Sequence, residues 1–69
     1  MKVLENADEM IGKRVKSIFR DSYEDRVIIF EDDSMIVFRA ELDYDDAELV
    51  IVSEKDMSDY EKKEYGNIV

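Results

Sequence analysis

Val27-Ile28-Ile29-Phe30-Glu31-Asp32-Asp33-Ser34-Met35-Ile36-Val37-Phe38 is the stretch that decides the fold. Two runs of β-branched, aliphatic and aromatic residues flank a short polar link, which is the pattern of a β-hairpin. A three-residue loop from Asp32 to Ser34 aligns Ile28, Phe30, Ile36 and Phe38 on one wholly apolar face. The other face carries Val27, Ile29, Met35 and Val37, interrupted by Glu31 and Arg39. A two-residue loop would flip one strand relative to the other, so the three-residue register is a preference between two. An antiparallel sheet with one face in water alternates polar with apolar residues; this hairpin does not. One short helix covers one face, so a second copy of the chain or another partner is expected over the other.

The rest of the chain builds outward from this hairpin. Val15-Lys16-Ser17-Ile18-Phe19-Arg20 alternates, predicting a strand with Val15 and Phe19 on one face. Before it, Asn6 to Gly12 reads as a short helical turn, capped by Asn6 and stopped by a left-handed Gly12. Asp21 to Asp25 is a polar turn. Downstream, Glu41-Leu42-Asp43-Tyr44-Asp45-Asp46-Ala47-Glu48 reads as an acidic connection to a further strand, Leu49-Val50-Ile51-Val52. Ser58 and Glu61 have capping-box spacing, predicting a C-terminal helix that runs to about Tyr65 and stops at Gly66. Its apolar face is thin: Tyr60 and Tyr65, with Met57 ahead and Ile68 beyond. The expected fold class is α+β, a small four-stranded, mainly antiparallel sheet with a short N-terminal helical turn and a C-terminal helix. The sheet is mainly antiparallel because the first three segments leave no room for crossover helices, and so short a chain makes one domain at most, a single acidic domain over residues 1–69.

Composition narrows the function. A chain of 69 residues buries only about 60% of the surface its unfolded form exposes, so stability is marginal. Cysteine and histidine are both absent, which removes disulfides and the commonest zinc ligands together. The start, Met1-Lys2-Val3-Leu4-Glu5-Asn6, lacks a signal-peptide h-region. No apolar run exceeds four residues, against the ~20 that cross a bilayer. A cytoplasmic protein is expected. Nineteen acidic residues stand against ten basic ones, a net charge of −9. Such a charge repels nucleic acid and anionic membranes and favours basic partners.

Catalytic patterns are missing. The serines at 17, 22, 34, 53 and 58 have no histidine to activate them and no Ser-x-x-Lys spacing. Paired carboxylates of the glycosidase kind need a cleft that so short a chain hardly offers. Asp43, Asp45, Ala47, Leu49 and Glu54 fall at calcium-loop positions, but Ala47 brings no side-chain oxygen and Glu48 replaces the turn glycine. With only Gly12 and Gly66, no phosphate-binding loop is present. No cofactor, no metal and no enzymatic activity are expected.

Charge is distributed in blocks. Lys13, Arg14, Lys16, Arg20 and Arg26 face three acids between residues 13 and 26, a local balance of +2. Without exposed aromatics for stacking, this stretch reads as a solvated strand face that pairs with acids elsewhere. From Glu31 to Glu48, eight acids face Arg39 alone, a balance of −7. The candidate partner-binding residues are therefore Asp32, Asp33, Glu41, Asp43, Tyr44, Asp45, Asp46 and Glu48. Tyr44 is the amphipathic anchor of the set. The leading expectation is a small protein-binding inhibitor that offers these acids to the basic surface of a nucleic-acid-binding protein, as nucleic-acid mimics and immunity-type proteins do. The alternative is a homodimeric structural or adaptor module without inhibitory function. No direct nucleic-acid or membrane contact is expected. The chain has the look of small proteins encoded by phages or mobile elements, and no motif ties it to a family.

Overall fold

The computed structural model describes residues 2–21, 24–43 and 46–68, without the side chains of residues 42–43, 46–47 and 67–68. Five strands form one mixed sheet: β1 (Lys2–Val3), β2 (Val15–Arg20), β3 (Arg26–Phe30), β4 (Ser34–Asp43) and β5 (Asp46–Ile51). A 3-10 turn, Ala7–Met10, precedes β2; another, Glu54–Asp56, precedes the single helix, α1 (Asp59–Ile68). The architecture is α+β, with five strands where four were expected. The sheet is mixed because β1 runs parallel to β4. A strand of two residues has no period to read, which is why the sequence hid it.

The deciding hairpin is β3–β4, paired as Val27 with Val37, Ile28 with Ile36 and Ile29 with Met35. Ile28, Phe30, Ile36 and Phe38 share a face as expected, but the register lies two residues away from the expected one. The loop is 31–33 rather than 32–34, because Asp33 takes the left-handed conformation (φ 68°) and its N–H closes on the Phe30 carbonyl at 3.0 Å. A left-handed residue in that place completes a three-residue hairpin, and Asp tolerates it better than most side chains. In β2 a bulge between Val15 and Ser17 places Val15 opposite Phe30 and Phe19 opposite Val27. Val15 and Phe19 therefore lie on opposite faces, since one extra residue reverses the alternation.

The largest difference lies downstream of Phe38. Residues 41–43 and 46–48 are strand and not loop: β4 continues to Asp43, and β5 begins at Asp46. Ladder pairs run from Phe38–Ile51 through Ala40–Leu49 and Glu41–Glu48 to Asp43–Asp46. Because β3 reaches only to Phe38 on the other edge, the distal part of β4–β5 is a two-stranded arm. Long acidic strands violate the usual composition of β-structure, so residue type pointed to a connection while tertiary pairing made a hairpin.

Both faces of the sheet carry a core. On one, Val27, Ile29, Met35 and Val37 pack with Val3, Val52, Met57 and Tyr65 under α1, and Phe19 joins them. On the other, Phe30 and Ile36 pack with Leu4, and Met10, Ile28, Phe38 and Ile51 are partly buried around them. The N-terminal segment thus covers half of the face that was expected to need a partner. The 3-10 turn is held by Glu9, whose carboxylate accepts the N–H groups of Glu5 (2.9 Å) and Asn6 (3.0 Å). These two bonds lower the Glu9 pKa. Gly12 adopts φ 82°, the expected left-handed stop. Ser58 and Glu61 form the expected capping box, with Glu61 N–H to Ser58 Oγ at 3.1 Å and Ser58 N–H to Glu61 Oε1 at 3.3 Å. The helix does not stop at Gly66 but runs through it to Ile68, despite the roughly 1 kcal/mol cost of a helical glycine. None of the helices among the described residues is long and apolar enough to cross a membrane.

Candidate functional site

The two acidic blocks of the sequence meet different fates at opposite ends of β4. At its start, the β3–β4 turn is neutralised by the basic segment 13–16. Lys13 Nζ donates to Asp32, Arg14 lies 3.6 Å from Glu31, and Lys16 lies 3.8 Å from Asp33. Asp32 also accepts the Ser34 amide at 3.0 Å and the Ser34 hydroxyl. The Lys13 ammonium, then the Ser34 donors, hold the Asp32 carboxyl well below the usual carboxylate range. Glu31 N–H to the Arg14 carbonyl, at 2.9 Å, fastens the two segments through the backbone as well. Asp32 and Asp33 therefore belong to a surface ion-pair network and not to the same patch as Glu41 and Glu48. Lys13, Arg14 and Lys16 pair with acids elsewhere, as the composition implied, while Arg20 pairs with Glu24 within the stretch at 3.0 Å.

At the other end of β4 the acids are unrelieved. Glu41 and Glu48 face each other across the ladder, and Asp43 and Asp46 are partners at its end. Both glutamates are exposed, and neither has an ion-pair partner among the described residues. Arg39 is the only basic residue between 34 and 51, and it shares their face. Its guanidinium is turned to Glu61 at 3.1 Å and Asp25 at 3.6 Å. Side chains alternate faces along a strand, so Ala40 and Leu49, partners on the ladder, occupy the opposite side of the arm. Tyr44 and Asp45, the remaining candidates, lie outside the described residues. Among those that are described, no group of three or more acids is arranged to hold a metal ion.

Residue type alone did not reveal a second set, buried where α1 crosses the sheet. Asp21 and Asp25 bracket the β2–β3 turn, Arg39 comes from β4, and Glu61 and Tyr65 come from α1. Asp21, Asp25, Glu61 and Tyr65 are all buried. The i,i+4 spacing of Glu61 and Tyr65 was the one available signal, since it places them on one helical face. Asp21 and Asp25 looked like ordinary turn residues.

Compared with known protein families, curated proteins and solved structures, the chain gives no significant match.

Proposed function

We propose that this chain is a small acidic protein-binding module that acts without catalysis. It offers the acidic side of the β4–β5 arm to a basic surface of the kind nucleic-acid-binding proteins carry. In that reading it is a cytoplasmic inhibitor and nucleic-acid mimic that touches neither nucleic acid nor membrane directly. The observation that carries the reading is the Glu41–Glu48 pair, two exposed carboxylates directly opposed, neither with an ion-pair partner among the described residues. Opposed like charges destabilise a ladder; a cationic partner removes that cost and gains charge-assisted hydrogen bonds. Electrostatic steering then speeds encounter with a surface already shaped for anions. Asp43, Tyr44, Asp45 and Asp46 extend the contact, while Asp32 and Asp33 lie about 30 Å away along β4 and serve the β3–β4 turn. The test is affinity capture from host lysate at low and high salt, with mass spectrometry. A basic partner held at low salt and shed at high salt supports the reading; equal recovery at both contradicts it.

A second reading rests on a different observation. Ile18 and Leu49 are each 65% exposed, on the sheet face whose other half Leu4 and Met10 cover. With Ile28, Phe38 and Ile51 they form an apolar band that a second copy of the chain would bury. On this reading the chain is a homodimeric module, and its association is insensitive to neutralising the arm.

A further inference from the structure

Helix α1 is joined to the sheet by a polar cluster as well as by its apolar side. Glu61 Oε2 accepts Arg39 Nη2 at 3.1 Å, and the Tyr65 hydroxyl donates to Asp21 Oδ2. Asp21 Oδ1 accepts the Asp25 amide at 2.9 Å, and the Asp21 amide donates to the Asp25 carbonyl at 3.0 Å. Asp25 Oδ1 lies 3.6 Å from Arg39 Nε. Its other oxygen, Oδ2, is buried without a hydrogen-bond partner among the described residues, in a residue only 2% exposed. Two buried carboxylates, Asp25 and Glu61, thus share the Arg39 guanidinium, and a third, Asp21, is fastened to the backbone of Asp25 beside them.

We propose that this cluster binds a proton on Asp25, and that losing the proton loosens α1 from the sheet. A buried charge without donors is unfavourable and neutralises where it can. Of the three acids, Asp21 accepts hydrogen bonds from the Tyr65 hydroxyl and the Asp25 amide. Glu61 accepts them from Arg39 and from the Ser58 amide and hydroxyl. Asp25 has only the longer contact to Arg39, so the proton settles there. Its pKa is raised, by burial first and then by the Asp21 charge, with Glu61 adding to the shift and Arg39 opposing it. Burial and the Asp21 carboxylate also hold the Tyr65 phenol in its protonated form. These groups face Asp25 from the turn, from β4 and from α1. Ionised Asp25 repels Glu61 across the seam between sheet and helix, so its charge bears directly on helix docking.

The sign follows from linkage. A carboxyl whose folded pKa lies above its ordinary value of 3.8 stabilises the folded state fully below that value, and the contribution is lost as pH rises through the folded pKa. The opening equilibrium of α1 therefore rises about tenfold per pH unit from 3.8 up to the Asp25 titration point, then levels. The experiment is hydrogen exchange of the α1 amides across the acid-to-neutral range, corrected for intrinsic rates, alongside the carbon-13 titration of the Asp25 carboxyl. Asp25→Asn is the variant, and Glu54→Gln the exposed control. Expected are an Asp25 midpoint above the ordinary range, α1 protection that falls up to that midpoint, and loss of this slope in Asp25→Asn alone. An Asp25 midpoint at or below the ordinary value overturns the proposal, and needs no variant that folds. So does a slope that survives Asp25→Asn, or α1 protection that does not change with pH.

Discussion

Glu41 stands directly opposite Glu48 in the β4–β5 ladder, so two exposed carboxylates share one rung, and neither has an ion-pair partner among the described residues. Opposed like charges on a rung cost on the order of 0.2–1 kcal/mol, yet the strands continue past them to Asp43 and Asp46. The ladder holds because the same strands carry Phe38 and Ile51 at the arm's base, where both are partly buried in the core. The arm therefore keeps a surface charge pattern that stability alone would not favour.

Replacing one member of the pair should stabilise the protein. Glu48→Lys turns a repulsive rung into an attractive one and is expected to add about 0.5–1 kcal/mol. In a domain this small that raises the thermal midpoint by roughly 3–6 °C. Salt should stabilise the wild type more than the variant, since it screens the repulsion the variant lacks. Thermal unfolding at two salt concentrations checks both statements.

Asp32→Asn should destabilise the β3–β4 turn, because it weakens the bonds from Lys13 and Ser34. The Asp32 and Glu9 carboxyls have folded pKa values below their ordinary ones. Their stabilisation is present above the ordinary carboxylate range and is lost as pH falls through it. Within that acid range, where Asp25 stays protonated, the wild type should therefore lose thermal stability on further acidification. Asp32→Asn should start lower at neutral pH and lose less, as a pH series of melting curves would show.

Tyr65→Phe keeps the buried ring but removes the donor to Asp21. The expected cost is about 1–2 kcal/mol, because a buried carboxylate loses a hydrogen bond that water cannot easily replace. Urea unfolding should show a lower midpoint with an unchanged slope. An unchanged midpoint would mean that the phenol does not help to anchor α1.

Much of this fold was legible in the sequence, and its gaps have physical causes. The hairpin faces, the 3-10 turn with its Gly12 stop and the Ser58–Glu61 cap followed from alternation and capping chemistry, which are local. The β1 strand, the β2 bulge and the acidic part of β4–β5 are fixed by pairing partners distant in the chain. Leu42 and Ala47 lie in the segment whose composition reads as an acidic connection; on the ladder they are rung partners. Of the acidic site, Glu41 and Glu48 meet across one rung, and Asp43 and Asp46 are ladder partners at the end of the strands. Asp32 and Asp33 do not join that group, because Lys13 and Lys16 claim them. Nothing local marked Asp25 as a buried acid, since only the crossing of α1 over the β2–β3 turn buries it.

The open apolar band gives a separate expectation for association. If a second copy covers Ile18 and Leu49, light scattering at high concentration reports a dimer. The double change Ile18→Lys with Leu49→Lys should then return a monomer, while Glu41→Gln with Glu48→Gln should leave the dimer intact or strengthen it. A monomeric wild type with no binding of an apolar-surface dye would remove the dimer reading.

The central claim, that the arm competes for a surface made for nucleic acid, is tested most directly by displacement. A basic partner captured from host lysate is loaded with a fluorescent single-stranded oligonucleotide and titrated with the protein. Wild type should release the oligonucleotide in a saturable, salt-sensitive manner. Glu41→Gln with Glu48→Gln should need at least about tenfold more protein to do so, each lost charge-assisted contact being worth roughly 1 kcal/mol or more. Simultaneous binding of protein and oligonucleotide, or equal displacement by wild type and the double variant, would contradict the account.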